Sequence, residues 1–278
     1  MDYRDRVAIV TGASSGIGRC IAVDLAARGA RVVLAARRAV ELEETARECS
    51  ARRGAAGAAA GDGVHVVPGD LAEPAFADAL AAAALDRFGR LDIVVNNAGI
   101  AKHKQIHLVT ADELERVFRV NFLAAARLTL AALPALVASG DGFVINVSSV
   151  AGKLPPPRET IYAASKFALE GFTEGLWLDL AGSGVHAAVI HVGPIDTDIW
   201  RSTDEPSRYR GRRFPPSMVS RAVLRCIEER RHALWVPRRF ALAYGFRLLL
   251  PGVYRWASAR FDPVPRAVIE AARTRGRR

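Results

Sequence analysis

The first two thirds of the chain alternate short β-branched runs with alanine- and leucine-rich stretches of helical period. Each β-branched run is continuously apolar, which a sheet requires when helices cover both of its faces. This rhythm is typical of βαβ units and predicts an α/β fold with a doubly wound, mostly parallel sheet. The six predicted strands are RVAIVTG, ARVVLAAR, VHVVPGD, LDIVVNNAG, GFVINVSS and VHAAVIHVGP. The predicted helices lie near residues 17–28, 40–52, 74–88, 111–138 and 162–182.

A doubly wound sheet binds its ligands at the carboxyl ends of its strands, so the residues after each strand are candidates for chemistry. The alternation is predicted to stop near Trp200, where arginine, proline and aromatic residues take over. Residues 1–200 are therefore predicted to bind a nucleotide and carry the catalytic residues. Residues 201–278 are predicted as a substrate lid and a basic, partly amphipathic C-terminal extension of the same domain. The glycine- and alanine-rich stretch 51–63 is predicted to be a surface loop at a helix end.

Composition and charge restrict the classes of partner and compartment. The formal net charge is +10, which attracts anions, but the arginines concentrate late in the chain, as is typical of a solvated surface. No nucleic-acid partner and no metal are predicted. Cys20, Cys49 and Cys226 are widely separated and form no CxxC pair, as expected in a reducing compartment. The N-terminus lacks a signal-peptide pattern, so a cytoplasmic protein is predicted.

A strand, a glycine-rich turn and an amphipathic helix follow one another in VAIVTGASSGIGRCIAVDLAARG. Glycines at positions 12, 16 and 18 let the backbone turn sharply and approach a pyrophosphate, which the N–H groups of the next helix can bind. The spacing GxxxGxG differs from the GxGxxG dinucleotide fingerprint. By itself the turn therefore leaves a nucleotide site and an ordinary tight turn both open.

The residues after the second strand indicate which cofactor would bind. Ala36 stands where an acid that binds a ribose 2′-hydroxyl is expected, and Arg37 and Arg38 follow it. A guanidinium suits a phosphate, which favours NADP(H) over NAD(H). The alternative is that both arginines merely solvate a loop.

The ends of the third and fourth strands offer weaker signals. Asp70 can accept a hydrogen bond from an adenine and Leu71 can contact the base, although aspartate after glycine is also an ordinary turn or cap residue. The small residues and amides of NNAG, residues 96–99, can let a cofactor lie close. A turn that stabilises the central sheet explains them equally well.

Tyr162 and Lys166 lie one turn apart on a predicted helix, thirteen residues after Ser149. A free tyrosine has a pKa of ~10, and the ammonium of Lys166 is expected to lower the pKa of Tyr162 toward neutrality, where proton transfer is efficient. The hydroxyl of Ser149 can hold a carbonyl or alkoxide oxygen in place. Taken alone, Tyr162 and Lys166 are an ordinary pair of neighbours on a helix surface.

The order and spacing of several motifs together resemble the short-chain dehydrogenase/reductase family, in its short single-domain branch. The resemblance covers roughly residues 5–200 and implies a Rossmann-type sheet of seven strands with helices on both faces. It also implies hydride exchange between a nicotinamide and an alcohol or carbonyl group, and a homodimer or homotetramer. The motifs are TGxxxGIG at 11–18, NNAG at 96–99, Asn121, Ser149, YxxxK at 162–166 and VGPIDT at 192–197.

Carried over to this sequence, the resemblance makes Tyr162 the general acid for reduction and the base for oxidation. Lys166 would lower its pKa and bind the nicotinamide ribose, and Ser149, rather than Ser148, would orient the substrate oxygen. Asn121 would support a water-linked proton path behind Lys166. The cofactor would contact Gly12, Ser14, Ser15, Gly16, Ile17 and Gly18 at the pyrophosphate, Arg37 with Arg38 beside it at the 2′-phosphate, Asp70 and Leu71 at the adenine, Asn97, Ala98 and Gly99 at the adenosine, and Tyr162, Lys166, Pro194, Ile195 and Thr197 at the nicotinamide.

Substrate choice is expected from Lys102 and His103, from residues 154–157 and from the segment after Thr197. Their mixture of apolar, aromatic and basic side chains favours an apolar alcohol, ketone or aldehyde, such as a lipid-like, steroid-like or keto-acyl compound. His103 is expected at the surface or the rim of the pocket. The alternative function is a catalytically silent NADP-binding sensor or an interaction subunit of the same fold.

Residues 233–261 concentrate leucine and aromatic residues with interspersed arginines. One interpretation is an amphipathic helix in weak contact with an anionic membrane surface, with its arginines reaching the headgroups, which would make the protein peripheral to a membrane. The other is a helix that covers the substrate mouth or pairs with a second subunit.

Overall fold

The computed structural model describes residues 2–55, 63–201, 209 and 211–260 of the 278-residue chain. Its strands are Val7–Thr11 (β1), Arg31–Ala36 (β2), Val64–Pro68 (β3), Ile93–Asn96 (β4), Gly142–Val147 (β5), Val185–Val192 (β6) and Ala233–Val236 (β7). All neighbours pair in parallel, in the order β3-β2-β1-β4-β5-β6-β7. The predicted doubly wound parallel sheet of seven strands is confirmed. The chain reverses its direction of winding between β1 and β4, where such sheets bind ligands.

The helices cover both faces of this sheet, as its continuously apolar strands require. They are Gly16–Ala27 (α1), Ala39–Ala55 (α2), Pro74–Phe88 (α3), Ala111–Phe118 (α4), Ala124–Ala138 (α5), Thr160–Asp179 (α6), Ser217–Glu228 (α7), Arg239–Leu249 (α8) and Pro251–Ala259 (α9). One core joins the sheet to α1, α2 and α7 through residues such as Ile21, Leu42 and Val223. The other joins it to α3, α5 and α6.

The sequence suggested that the alternation of helix and strand stops near Trp200, but in the structure it does not. It continues through α7 and β7, and the compact unit extends over Met1–Phe240, while Ala241–Arg278 form a second unit. β7 has only four residues, at one edge of the sheet. The sequence interpretation therefore included its run ALWV in the apolar segment 233–261 and did not predict a strand there.

Two sequence expectations fall partly outside the described residues. The predicted loop at 51–63 includes 56–62, which are not described, while 51–55 complete α2. Residues 202–208, 210 and 261–278, which belong to the predicted lid and extension, are not described either.

α4, a π-helical turn at Arg119–Leu123 and α5 form one continuous helix over residues 111–138, as predicted. Among the described residues, it is the one helix long and apolar enough to cross a membrane. Its residues Leu128, Ala132 and Leu136 are fully buried against the sheet. The helix is therefore explained as a core helix of the α/β fold.

Candidate active site

The residues predicted to be catalytic meet at the carboxyl edge of the sheet. Ser149 follows β5, while Tyr162 and Lys166 lie in the first turns of α6. Gly99, after β4, lies against the same group, because a Cβ added there would be 3.3 Å from Asn121 Oδ1 and 3.5 Å from Lys166 Nζ. Four chain segments that are distant in sequence thus converge on one place.

Ser149 is the serine that faces the tyrosine. Its side chain hydrogen-bonds to that of Tyr162, and its Oγ accepts a hydrogen bond from the Ala151 N–H at 3.1 Å. The neighbouring Ser148 is buried and donates to Glu170 Oε1 at 2.9 Å. The expectation that Ser148 is only a neighbour agrees with this arrangement.

The pKa of Tyr162 moves in the opposite direction to the sequence expectation. Although the residue keeps some exposure, desolvation raises its pKa, the hydrogen bond with Ser149 opposes that rise, and the charge of Glu159 adds to it. Lys166 Nζ lies 6.0 Å from the ring centroid of Tyr162 and donates to the Val147 carbonyl at 3.0 Å. The protein by itself therefore holds Tyr162 as a protonated phenol, the form that donates a proton.

Lys166 is buried, and burial lowers its pKa to about 8, while the charge of Glu170 opposes the shift. At neutral pH the ammonium form therefore still predominates, but with a smaller margin than a solvated lysine has. A lysine that titrates this close to neutrality is able to respond to the charge of the group beside it.

Asn121 lies in the π-helical turn, a local distortion that is frequent at functional sites. Its Oδ1 accepts from the Ile100 N–H at 2.8 Å, and its Nδ2 donates to the Ile100 carbonyl at 3.0 Å and to Ser165 Oγ at 3.0 Å. Asn121 thus ties the loop after β4 to α6. Its role in a water-linked proton path stays a prediction.

Glu170 is a buried member of the site that the sequence interpretation missed. Its Oε1 lies 3.0 Å from His191 Nδ1, and its Oε2 forms an ion pair with Lys153 Nζ at 3.3 Å. A Cβ at Gly152 would overlap its carboxylate. Because Glu170 follows Lys166 by four residues, helical spacing alone could have placed it on the same face.

The glycine-rich turn has the geometry that a pyrophosphate requires. Gly12 and Gly16 adopt positive φ angles of 66° and 54°, which favour glycine. A Cβ at Gly18 would overlap the Gly12 carbonyl oxygen. Within the described part of the chain, the Ser15 side chain makes no capping hydrogen bond to α1. The N–H groups at the start of α1 therefore suit an anion, and the site fits a dinucleotide.

The structure brings Arg38, rather than Arg37, to the glycine-rich turn. Arg38 Nη2 donates to Ser14 Oγ at 3.1 Å and to Ser15 Oγ at 2.7 Å, and Nη1 pairs with Glu41 at 3.2 Å. Arg37 and Arg38 are both exposed. The predicted contact of these arginines with a 2′-phosphate stays a prediction.

The residues after β3 and β4 have structural contacts of their own. The Asn97 N–H donates to Thr11 Oγ1 at 2.9 Å, and its Nδ2 donates to the Thr11 carbonyl at 2.9 Å, which fastens β4 to the turn after β1. Asp70 Oδ1 accepts from the Ala72 N–H at 3.0 Å, and Leu71 is buried in a core. Their contacts with adenosine stay predictions.

The turn after β6 approaches the start of α1. A Cβ at Gly16 would lie 3.0 Å from Thr197 Cγ2, so Thr197 borders the glycine-rich turn. Ile195 is buried in a core, and the Phe214 N–H donates to the Pro194 carbonyl at 2.9 Å. This segment is positioned to close one side of a dinucleotide site, while contact with a nicotinamide stays a prediction.

The sequence interpretation expected His103 at the surface or the rim of the pocket, and the structure does not leave it at the surface. It is buried, with Nε2 2.9 Å from Glu159 Oε1 and its ring edge-on to Trp200 at 6.0 Å. The Lys104 N–H donates to the Arg158 carbonyl at 2.8 Å. The loops after β4, β5 and β6 therefore meet at His103 and form one wall beside Tyr162.

The side chain of Lys102 is fixed by an ion pair and is not a mobile surface cation. Its Nζ pairs with Glu113 Oε1 at 2.6 Å, and Lys104 Nζ pairs with the same oxygen at 2.9 Å. The hydrogen bonds from Lys102, the Thr110 N–H and Lys104 lower the pKa of Glu113 to about 2. This ionised carboxylate fixes the loop after β4 onto the first turn of α4.

A parallel doubly wound sheet, a glycine-rich turn at its switch point and a serine–tyrosine–lysine set at the same edge define a Rossmann-type oxidoreductase with a site for a nicotinamide cofactor. The family model of the short chain dehydrogenases matches residues 6–208. The chain belongs to this family.

Known proteins with which the chain shares sequence and fold agree with this assignment. An uncharacterized oxidoreductase of Staphylococcus aureus (strain USA300) is 35% identical over 228 residues, which cover 82% of this chain and 93% of that protein. A metagenomic short-chain oxidoreductase in complex with NADP is 30% identical, with a TM-score of 0.70 over 84% of this chain and 98% of the other. A short-chain dehydrogenase/reductase from Burkholderia phymatum in complex with NAD is 27% identical, with a TM-score of 0.79 over 95% and 99% of the two chains.

Proposed function

We propose that this oxidoreductase transfers a hydride between NADP(H) and a secondary alcohol, ketone or aldehyde, with Tyr162 as the acid and base. The observation that carries the proposal is the Tyr162 phenol, hydrogen-bonded to Ser149 and one helical turn from Lys166. A protein that only senses a cofactor has no need of a phenol with shifted acidity beside a buried lysine.

The chain's own residues divide the work of a reduction among them. A bound nicotinamide supplies the hydride that reaches the carbonyl carbon. Tyr162 Oη gives its proton to the carbonyl oxygen, so the product is an alcohol and the tyrosine is left as a phenolate. Ser149 hydrogen-bonds to the same oxygen and orients it. The ammonium of Lys166 stabilises the phenolate until a proton from solvent restores the phenol; oxidation follows the reverse order.

The preference for NADP(H) rests on Arg38 and Ala36. The guanidinium of Arg38 lies at the glycine-rich turn, and β2 ends in Ala36, which has no carboxylate to bind a ribose 2′-hydroxyl or repel a 2′-phosphate. The chain is similar to one structure in complex with NADP and to another in complex with NAD, so the preference between the two cofactors is argued from Arg38 and Ala36.

An apolar substrate is supported by the wall beside Tyr162. Trp200 is partly exposed there, while Glu159 and buried His103 supply a polar pair. A lipid-like, steroid-like or keto-acyl carbonyl compound would place its apolar part against such a wall.

We also infer a homo-oligomer and a cytoplasmic location. Exposed apolar side chains on α5 and α6, among them Leu130 and Phe167, suit a contact between subunits. All three cysteines are free thiols, and burial raises the pKa of Cys49 and Cys226 to about 12. Inert thiols of this kind suit a reducing compartment. Light scattering on the purified chain measures the oligomer, and fractionation of cells measures the location.

A cofactor titration followed by a substrate panel tests the proposal. The full chain is titrated with NADPH and NADH, and apolar ketones, aldehydes and alcohols are then screened by nicotinamide absorbance. Turnover with a lower KM for NADPH than for NADH supports the proposal. Cofactor binding without turnover of any compound would favour the silent sensor, and the absence of cofactor binding would reject both functions.

A further inference from the structure

α8 and α9 form an almost continuous helical segment with a single residue, Leu250, between them. The Leu250 N–H donates to the Phe246 carbonyl at 2.9 Å, and the Tyr254 N–H donates to the Leu250 carbonyl at 3.0 Å. Leu250 itself has φ −129° and ψ 60°, which are not helical angles, so the helical rotation is interrupted between α8 and α9. Side-chain spacing is therefore followed within each helix separately.

Large apolar side chains recur at intervals of four and three residues in α8 (Leu242, Phe246 and Leu249) and of three residues in α9 (Val253 and Trp256), which places each set on one side of its own helix. Leu249 is 82% exposed, Leu242 78% and Trp256 60%, so the side they occupy faces solvent. A contiguous exposed apolar surface of this kind marks a binding site in most soluble proteins. We define this apolar stripe as Leu242, Phe246, Leu249, Val253 and Trp256.

The charge of the same segment has one sign. Residues 238–260 contain five arginines and no acidic residue. By helical spacing, Arg247 on α8 and Arg255 on α9 each lie away from the apolar side chains of their own helix. Arg247 is half-buried, with its guanidinium 5.6 Å from the ring centroid of Tyr254, and Arg255 is exposed. Their long side chains can reach past the helix to phosphate oxygens while the stripe is buried.

The charge distinguishes between the surfaces that could cover the stripe. A second copy would bring the same arginines and no acid from this segment, so like charges would face each other. The surface of an anionic bilayer accepts both features, because its acyl boundary takes apolar side chains and its phosphates take arginines. Tryptophan, as at position 256, is enriched at that boundary.

We propose that α8 and α9 bind the surface of an anionic lipid bilayer, with the apolar stripe in the acyl boundary and Arg247 and Arg255 at the headgroup phosphates. This surface would bring the enzyme to substrates dissolved in the membrane. The proposal rests on residues outside the candidate active site, so it can fail or succeed independently of the proposed function.

Vesicle flotation with the full chain tests this proposal. Vesicles of phosphatidylcholine alone are compared with vesicles that also contain phosphatidylglycerol, at low and high salt. The chain is expected to float with the anionic vesicles and to be released by salt, since salt screens exposed charges. If all of the protein stays at the bottom with anionic vesicles at low salt, the proposal is wrong.

Variants separate the apolar from the electrostatic contribution. The pair Leu242→Glu and Leu249→Glu is expected to abolish flotation. Removing Arg247 and Arg255 as Arg→Gln is expected to lower the partition coefficient by about fivefold for each arginine, from about 1 kcal/mol per basic residue near such a surface. The matched control is Val40→Glu on α2, a valine that is 72% exposed and should leave flotation unchanged.

Two further measurements keep the outcomes distinct. A loss of flotation supports the proposal only when the circular dichroism and thermal unfolding of the variant match those of the wild-type chain. A variant that unfolds is replaced by Leu249→Ser, for which reduced flotation is again expected. Wild-type-like flotation of the folded leucine variants would overturn the proposal. So would a change of oligomeric state in these variants without flotation of the wild type, since a second copy would then cover the stripe.

Discussion

The two sides of the candidate active site depend on different physical properties. On the cofactor side, between β1 and α1, the shape depends on glycines, which have no side chain. Gly12 has a positive φ, and Gly18 lies against the Gly12 carbonyl. On the catalytic side, between β5 and α6, the shape depends on buried polar side chains such as Ser149 and Lys166. The cofactor side should therefore be sensitive to added volume, and the catalytic side to a change of proton or charge.

This difference predicts that variants on the two sides separate cofactor binding from turnover. A change of volume in the turn should weaken cofactor affinity, whereas a change of ionisable group near α6 should lower kcat with cofactor affinity retained. A single variant that changes both the cofactor affinity and kcat would show that the two sides act as one unit.

The largest expected effect is that of Tyr162→Phe. Removing the phenolic proton should lower kcat by about 10³-fold, the usual contribution of a general acid, with the Kd for NADPH unchanged. Steady-state kinetics and cofactor titration measure the two quantities. Tyr3→Phe, which removes a hydroxyl bound to Glu228 far along the chain, is the control and should keep full activity. Residual turnover within tenfold of the wild type would contradict the assigned role.

Gly18→Ala should act on the cofactor side alone. The added methyl overlaps the Gly12 carbonyl, and an overpacking cost of about 1–3 kcal/mol corresponds to a weakening of NADPH binding by about 5- to 150-fold. Fluorescence titration measures the Kd. The control is Gly171→Ala in α6, where an added methyl meets no atom within 4 Å. Equal losses in both variants would show a general loss of stability instead.

Arg38→Leu should change the choice between cofactors. Loss of a charged hydrogen bond to the 2′-phosphate costs about 1.5–3 kcal/mol, so the Kd for NADPH should rise by about 10-fold or more while that for NADH stays constant. Arg37→Leu is the matched variant and should have the smaller effect, because Arg38 is the arginine that is hydrogen-bonded to Ser14 and Ser15 at the glycine-rich turn. If both cofactors weaken equally in Arg38→Leu, the residue supports the turn through Ser14 and Ser15 and does not select the cofactor.

The smallest effect concerns pH. Lys166 carries its proton below its pKa of about 8 and loses it as the pH rises through that value. Reductive kcat should therefore fall several-fold above about pH 8, because the phenolate left on Tyr162 loses its stabilising charge. Lys166→Arg should move the fall to higher pH, since guanidinium keeps its proton. A rate that is flat from neutral to alkaline pH in the wild type would reject this role of the ammonium.

Much of the fold could be predicted from local pattern. α3 was predicted at its observed bounds, the helix over 111–138 was found as one continuous element, and all six predicted strands lie in the sheet. These elements are long or strongly apolar, so their periodicity is visible without any partner. β7 was missed because it is a short edge strand, whose role shows only where it pairs with β6. The helix before it, α7, was missed as well.

The order and spacing of the motifs in the sequence by themselves determined the class of reaction, because they name Ser149, Tyr162 and Lys166 as one set. Only the tertiary structure decided that Arg38 approaches the turn, that His103 is buried against Glu159, and that Glu170 lies against His191. It also reversed the expected pKa shift of Tyr162. The physical reason is that spacing records which groups share a helix face, whereas desolvation and side-chain direction depend on the segments that pack around them.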